Sequence, residues 1–141
     1  MLFNPALGTA QIDVFDADKA STSLSPRVHE VVILTVGAAW GSDYELYAHS
    51  AVGNVVGLSD DVVEALVAGE PPDFRNEQEA SAYEFTQQLI GEHRVEAETY
   101  ARAEQAFGHK GLVDMALLIG LYLATCSLLN AFEVPAPKAI R

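Results

Sequence analysis

The sequence predicts an all-α fold, a single-domain bundle of six or seven helices. Helix start and stop residues recur along the chain, and long stretches carry apolar residues at helical spacing. No stretch shows the strict alternation of polar and apolar residues that is typical of a half-buried strand. The chain has 141 residues, half of them hydrophobic and a fifth charged, and residues 1–141 are therefore expected to bury one core.

The first two helices are predicted from their boundaries. Pro5–Phe15 forms a short helix that ends before a polar turn at Asp16–Ser23. Ser25-Pro26 then opens the second helix, because serine is a good N-cap and proline suits the first helical position. Trp40-Gly41 ends this second helix.

Four or five further helices follow. Ser42 starts the third helix and Gly57 closes it, and Ser59-Asp60-Asp61 caps the short helix Val62–Val67. The Pro-rich loop at 69–72 separates two halves of the chain.

In the second half, Asn76 caps a helix that extends to Leu89. Another helix covers Glu96–Phe107 and ends at a glycine. The most apolar helix covers Gly111–Phe132.

Composition excludes several classes of partner. The formal net charge is -12 with only eight Lys and Arg, so neither nucleic acid nor an anionic membrane surface is an expected partner. The stretch Leu112–Phe132 is apolar enough to suggest a membrane span, but Asp114, Thr125, Ser127 and Asn130 interrupt it. Packing between other helices is the better interpretation, because a span needs about 20 apolar residues with few polar ones.

Cysteine content and the N-terminal sequence indicate the compartment. The single cysteine, Cys126, cannot form an internal disulfide, which favours a reducing environment. Met1–Ala17 lacks a basic start followed by an apolar run, so no signal peptide is expected. A cytoplasmic location follows as a prediction.

The candidate chemistry lies on two consecutive helices. Glu45 and His49 are four residues apart and share a helix face. Glu30 lies on the preceding helix, and a hairpin at Trp40-Gly41 would bring it towards His49. A histidine with two neighbouring carboxylates is a competent proton-transfer set.

Structural roles compete with this interpretation. Ser42 and Glu45 fit a capping box, in which Glu45 reaches back to the Ser42 backbone N–H. His49 also fits a hydrogen-bonded core histidine, and Arg27 with Glu30 fits an ordinary helical ion pair. A metal site is not expected, because this face offers no second histidine.

Several segments together resemble one protein family. Residues 24–34, Leu-Ser-Pro-Arg-Val-His-Glu-Val-Val-Ile-Leu, are similar to the LSPR-x-x-E-x-x-I-L helix of the carboxymuconolactone decarboxylase and alkylhydroperoxidase D superfamily. Residues 42–49 fall where its peroxidase members carry Cys-x-x-Cys-x-x-x-His. Residues 57–61 resemble its GLS-x-E turn, and residues 120–132 resemble its closing helix. The resemblance covers about residues 24–134.

The resemblance implies roles for individual residues. Glu30 matches the relay glutamate and His49 the relay histidine, while Ser42 and Glu45 occupy the two cysteine positions. Without that pair the thiol–disulfide cycle is not expected. The spacing from Glu45 to His49 is instead similar to that of the true decarboxylases, which use neither a redox nor a metal cofactor.

The resulting prediction is an enzyme that acts on a small lactone or carbonyl acid by cofactor-free acid–base catalysis. His49 moves the proton, Glu45 orients or polarises His49, and Glu30 completes the relay. Arg27 is a candidate for binding a substrate carboxylate, because its planar fork pairs bidentately with such groups. Further candidates for binding the substrate are Ser42, Tyr44, Tyr122 and Asn130.

Alternatives remain open. The resemblance implies a trimer or hexamer, so a non-catalytic oligomeric binding or scaffold protein is one alternative. Residual peroxidase activity through Cys126 is another, although its apolar setting suggests a buried, inert thiol.

Overall fold

The structure is a computed structural model that describes residues 3–138. Its helices are α1 (Pro5–Ser21), α2 (Pro26–Trp40), α3 (Asp43–Val55), α4 (Asp60–Ala68), α5 (Glu77–Glu92) and α6 (Ala97–Ala131). No strand occurs within residues 3–138. The all-α prediction is therefore confirmed.

Several helix ends lie where the sequence placed them, for the expected reasons. The Ser25 hydroxyl accepts a hydrogen bond of 3.2 Å from the backbone N–H of Val28, with Pro26 as the first helical residue. Gly41 ends α2 in the left-handed region, with φ 59°, which glycine adopts at no steric cost. The Asn76 side chain accepts a bond of 3.1 Å from the Glu79 N–H and caps α5.

The first helix is longer than predicted. It continues through the expected polar turn to Ser21, because residues 16–20 contain neither glycine nor proline and include two alanines and a lysine, which favour helix. Gly8 is the one residue of α1 that is buried. This extension carries Asp18 into contact with α2.

The two last predicted helices form one element with a break. Gly108 has φ 65° and ψ 177° inside α6, a conformation that is open mainly to glycine. The break lies at the residue that the sequence marked as a helix end. Helix α6 therefore consists of two helical segments. Residues 3–138 thus form seven helical segments in six elements.

Helix α2 forms the centre of the bundle. Its residues Val28–Gly37 are buried except for partly exposed His29. One cluster joins α2 to α5 and α6 and includes Val32, Phe85 and Met115. A second joins α2 to α4 and includes Leu34. Glu30 thus projects from the helix that contributes to both core clusters.

The apolar helix α6 is only partly covered. An 18-residue window has a mean hydropathy of 2.0 with a third of it buried, so length and composition alone would allow it to cross a membrane. One such helix is weak evidence, because core helices meet the same criterion. Its Asp114 carboxylate accepts two bonds of 2.7 Å from Ser23 and pairs with Lys110 at 2.8 Å. The hydrogen bonds from Ser23 hold α6 against the segment between α1 and α2.

Candidate active site

Four side chains from three helices meet beside the α2–α3 hairpin. Glu30 comes from α2, Glu45 and His49 from α3, and Tyr122 from α6. Gly37 of α2 allows the close approach, because a Cβ there would lie 3.3 Å from the Leu46 side chain and 3.6 Å from the Glu45 Cβ. The convergence that the sequence predicted for Glu30, Glu45 and His49 is present.

The two nitrogens of His49 have different partners. Nδ1 lies 2.7 Å from Glu30 Oε2, and because an ionised carboxylate only accepts, Nδ1–H donates. Nε2 lies 3.3 Å from Glu45 Oε2 and 3.3 Å from the Tyr122 hydroxyl. Glu30 therefore fixes the orientation of the ring and leaves Nε2 as the nitrogen that can exchange a proton with other groups.

The two carboxyl groups differ in proton affinity. Burial alone would raise the pKa of Glu30, but its interactions with His29 and His49 outweigh burial and lower it. Burial raises the pKa of Glu45, the charge of His49 opposes this, and the charge of Glu30 reinforces it. Two carboxyl groups whose environments shift their pKa values in opposite directions can divide the roles of anion and acid.

Tyr122 remains a neutral hydroxyl at the buried side of the site. Burial, followed by the charges of Glu45 and Glu30, raises the pKa of Tyr122 far above its ordinary value. Its ring meets the His49 ring edge-on at 5.2 Å and the Phe15 ring of α1 at 5.8 Å. Tyr122 can therefore donate a hydrogen bond without itself ionising.

The capping-box interpretation of Ser42 and Glu45 is wrong. Ser42 does precede α3, but its backbone N–H donates to the Gly37 carbonyl at 3.0 Å. Within residues 3–138, neither the buried Ser42 hydroxyl nor Glu45 Oε2 has a hydrogen-bond partner of ordinary geometry. Buried polar atoms of this kind require an explanation, and here both belong to the start of α3 beside His49.

The single cysteine packs against the same region. Cys126 is fully buried. Burial raises the pKa of its thiol to about 11, and the neighbouring Ser42 hydroxyl opposes this only in part. The thiol is therefore protonated at neutral pH, in agreement with the expected inert residue.

Arg27 is engaged elsewhere than predicted. Its Nε lies 2.6 Å from Glu79 Oε1 of α5, with the arginine side chain 45% exposed and the glutamate 3%. Neither the expected pair with Glu30 nor a free guanidinium at the site is observed. The reason is the packing of α5 against α2, which brings a buried carboxylate to Arg27.

Two other predicted binding residues also lie outside the cluster. The Asn130 amide donates to the backbone carbonyl of Trp40 at 2.8 Å and ties α6 to the end of α2. Tyr44 lies on the surface, 38% exposed. Trp40 is exposed at the end of α2.

Sequence reasoning missed an adjoining pair. His29 Nε2 lies 2.7 Å from Asp18 Oδ2 of α1, and its Nδ1 lies 3.8 Å from Glu30 Oε1. His29 precedes Glu30 in the motif quoted above, which was the available signal. Asp18 was missed because the sequence placed it in a predicted turn.

Metal-ligating groups do not gather in the described part of the chain. Within residues 3–138 no group of three or more His, Cys, Asp or Glu side chains is arranged to hold a metal ion. The polar atoms of the site instead point to one another around His49. The arrangement is suited to moving a proton between carboxyl, imidazole and hydroxyl groups.

Comparison with known proteins gives a structural match without a sequence match. No protein-family model matches the chain, and no curated protein matches its sequence. The structure is similar to a crystal structure of a protein of unknown function from Agrobacterium tumefaciens, described as a candidate antioxidant defence protein AhpD. The TM-score is 0.85 at 14% sequence identity, over 96% of this chain and 93% of that one. The protein has an alkylhydroperoxidase D-like fold.

Proposed function

We propose that the protein is an enzyme of the carboxymuconolactone decarboxylase type, which acts on a small lactone or carbonyl acid by cofactor-free acid–base catalysis. One observation carries the proposal: His49 is clamped by Glu30 through Nδ1, while Nε2 faces Glu45 and Tyr122 at 3.3 Å each. A ring held in this way can give or take a proton at Nε2 alone. The opposite pKa shifts of Glu30 and Glu45 support the assignment of roles.

The two buried atoms without a hydrogen-bond partner are the candidate contacts for a substrate in this proposal. A carbonyl oxygen can accept from the Ser42 hydroxyl, or from the Glu45 carboxyl group when that group carries a proton, and either bond would satisfy a buried atom that lacks a partner. Such donors stabilise negative charge that develops on a carbonyl oxygen. Tyr122 adds a third neutral donor beside them.

The proposed reaction needs only one proton from the protein. The bond between the substrate carboxylate and its carbon breaks, CO2 leaves, and the electron pair passes into an enolate whose oxygen the donors hold. Protonated His49 then delivers its Nε2 proton to carbon, and the ionised Glu30 stabilises the imidazolium until that transfer. Solvent returns a proton to His49 and completes the cycle.

A thiol-based reaction is the weaker alternative. One cysteine in these 141 residues cannot form an internal disulfide. Its buried thiol has a pKa of about 11, which leaves little thiolate as nucleophile at neutral pH. Acid–base chemistry, by contrast, uses the imidazole and carboxyl groups that already lie together at the site.

A turnover assay tests the proposal. Purified protein is incubated with a panel of small lactone acids and β-keto acids, and CO2 and product are followed for wild type, His49→Ala and His109→Ala. The control His109 is 82% exposed and pairs with Glu104. We expect His49→Ala to lose about a hundredfold or more in kcat, as removal of a general acid–base group predicts, and His109→Ala to match wild type. Equal activity in all three would refute the role of His49.

A homo-oligomer, trimer or hexamer, is part of the same proposal and is also the basis of the scaffold alternative. A cleft of about 670 Å³ between α1 and the end of α6 is lined mainly by apolar side chains, including Leu7, Phe15 and Leu128. Leu117 on α6 is 68% exposed. Exposed apolar patches mark interaction sites such as subunit interfaces.

Solution mass measurement separates these possibilities. Light scattering after size exclusion is compared for wild type, Leu117→Glu and Val55→Glu, where Val55 is an 86% exposed control on α3. We expect an oligomer that Leu117→Glu weakens and Val55→Glu leaves intact. A wild-type monomer at micromolar concentration would contradict the assembly, and an oligomer with no turnover would favour the scaffold role.

A further inference from the structure

The His29–Asp18 pair adjoins the acid–base site but has no role in the mechanism described above. Asp18 belongs to α1, a helix with one buried residue, and its carboxylate lies 2.7 Å from His29 Nε2. The other nitrogen of His29 lies 3.8 Å from Glu30 Oε1, while Glu30 Oε2 holds His49 at 2.7 Å. The imidazole of His29 therefore lies between two carboxylates, one of which orients His49.

We propose that His29 is a positioning residue: its imidazolium, held by Asp18 of α1, stabilises the ionised Glu30 carboxylate that orients His49. The inference rests on the proposed acid–base role of His49 for its catalytic consequence. The electrostatic coupling between His29 and Glu30 does not depend on that role.

Geometry supports a charge interaction in preference to a proton relay. The 3.8 Å separation of His29 Nδ1 from Glu30 Oε1 is an ion-pair distance, too long for a normal hydrogen bond and too short to admit a bridging water. His29 and Asp18 are largely buried, with side chains 18% and 14% exposed, so their charges are screened less than surface charges. The cationic ring can thus act on Glu30 without touching a substrate.

The surrounding groups make the cationic form of His29 favourable. Burial alone would lower its pKa, but its interactions with Glu30 and Asp18 outweigh burial and raise it. Other titratable groups in the same cluster are Glu45 and His49 of α3 and Tyr122 and Cys126 of α6. Tyr122 and Cys126 stay neutral near pH 7, because burial raises the pKa of each.

Asp18 extends this cluster of charges to the space between α1 and α6. It also lines a small cavity of about 140 Å³ between α1 and α6. The chain of groups therefore begins at a cavity under α1 and ends at His49. Removal of the Asp18 charge is expected to weaken the cationic form of His29, and through it the ionisation of Glu30.

The titration of His29 tests the coupling without any substrate. Thermodynamic linkage is reciprocal: if the imidazolium stabilises the Glu30 carboxylate, that carboxylate stabilises the imidazolium equally. Ring resonances of the four histidines are followed by NMR against pH in wild type, Asp18→Asn, Glu30→Gln and Asp16→Asn. Asp16 is exposed on the same helix and controls for the loss of one negative charge.

We expect the His29 midpoint to fall by about half a pH unit or more in Asp18→Asn and in Glu30→Gln, and to be unchanged in Asp16→Asn. An unchanged midpoint in Glu30→Gln would overturn the coupling to the site. An unchanged midpoint in Asp18→Asn would overturn the role of α1.

The pH profile of turnover tests the catalytic consequence. In Asp18→Asn and His29→Gln the acid limb of the plot of kcat against pH should move to higher pH, because the Glu30 carboxylate loses a stabilising positive charge. KM should be unchanged, because His29 does not contact the substrate. An unmoved limb in both variants would overturn the positioning role. A protein that shows the NMR coupling but turns over no substrate would refute the proposed function alone, whereas an active protein without the coupling would refute this inference alone.

Discussion

Replacement of Glu30 by glutamine removes the charge that holds His49 while keeping the shape of the side chain. The Glu30 Oε2 to His49 Nδ1 distance is 2.7 Å, and a glutamine carbonyl oxygen can accept the same hydrogen bond. The charge centres are about 4 Å apart, and at an effective dielectric constant of about 20 their attraction is about 4 kcal/mol. The net loss on substitution is smaller, because hydrogen bonds to charged groups contribute about 1.5–3 kcal/mol net.

The Glu30 charge stabilises the imidazolium form of His49 that delivers the proton, so without it a smaller share of the enzyme is in the reactive form. We therefore expect kcat to fall on the order of a hundredfold in Glu30→Gln. The assay is turnover of the best substrate from the lactone and β-keto acid panel, measured at saturation.

Glu79→Gln is the matched control for this variant. It also removes a buried carboxylate from an ion pair, at 2.6 Å from Arg27 and away from His49. Thermal or urea unfolding of both variants should show a cost of about 1–3 kcal/mol, whereas Glu79→Gln should keep its activity. A folded Glu30→Gln protein that loses less than about fivefold in kcat would refute the clamp argument, since about 1 kcal/mol is then all that the charge contributes.

Three further outcomes are expected. Tyr122→Phe removes the hydroxyl 3.3 Å from His49 Nε2 and should lower kcat by about five- to tenfold, as loss of about 1–1.5 kcal/mol predicts; an unchanged kcat would assign Tyr122 to packing. The pKa of His29 is raised in the folded state above its ordinary value of 6.5, so its contribution to stability is complete below that pH and is lost as pH rises through the raised value. Melting temperature should therefore decline as pH rises above about 6.5 and do so less in His29→Gln, a difference that scanning calorimetry measures; parallel curves would argue against a raised pKa. Asn130→Ala removes the 2.8 Å hydrogen bond to the Trp40 carbonyl. It should lower the free energy of unfolding in urea by about 1 kcal/mol and leave kcat unchanged. A large loss of kcat would instead show that Asn130 takes part in the active site.

Local sequence signals predicted much of the fold. Ser25-Pro26 marked the start of α2, and Gly41 its end, because capping and left-handed glycine are properties of a few adjacent residues. The short hairpin that follows leaves α3 beside α2, so Glu30 and His49 could be expected to meet. The family resemblance added their roles, which spacing alone left level with capping and core packing.

Contacts between distant parts of the chain could not be predicted in the same way. Arg27 pairs with Glu79, 52 residues away, instead of with its helical neighbour Glu30. The pair between Asp18 and His29 was missed because the polar sequence around Asp18 suggested a turn, although its residue types also favour helix. Such partners depend on how helices pack, which one sequence does not encode locally.

The central claim is that His49 delivers a proton to a substrate carbon at a single, oriented site. The most direct measurement is turnover in D2O, with NMR of the product for wild type and His49→Gln. The account predicts one deuteron at the protonated carbon in a single configuration for wild type, and slow, non-stereospecific incorporation for the variant. Product without deuterium on carbon, or the same configuration and rate in His49→Gln, would contradict the account.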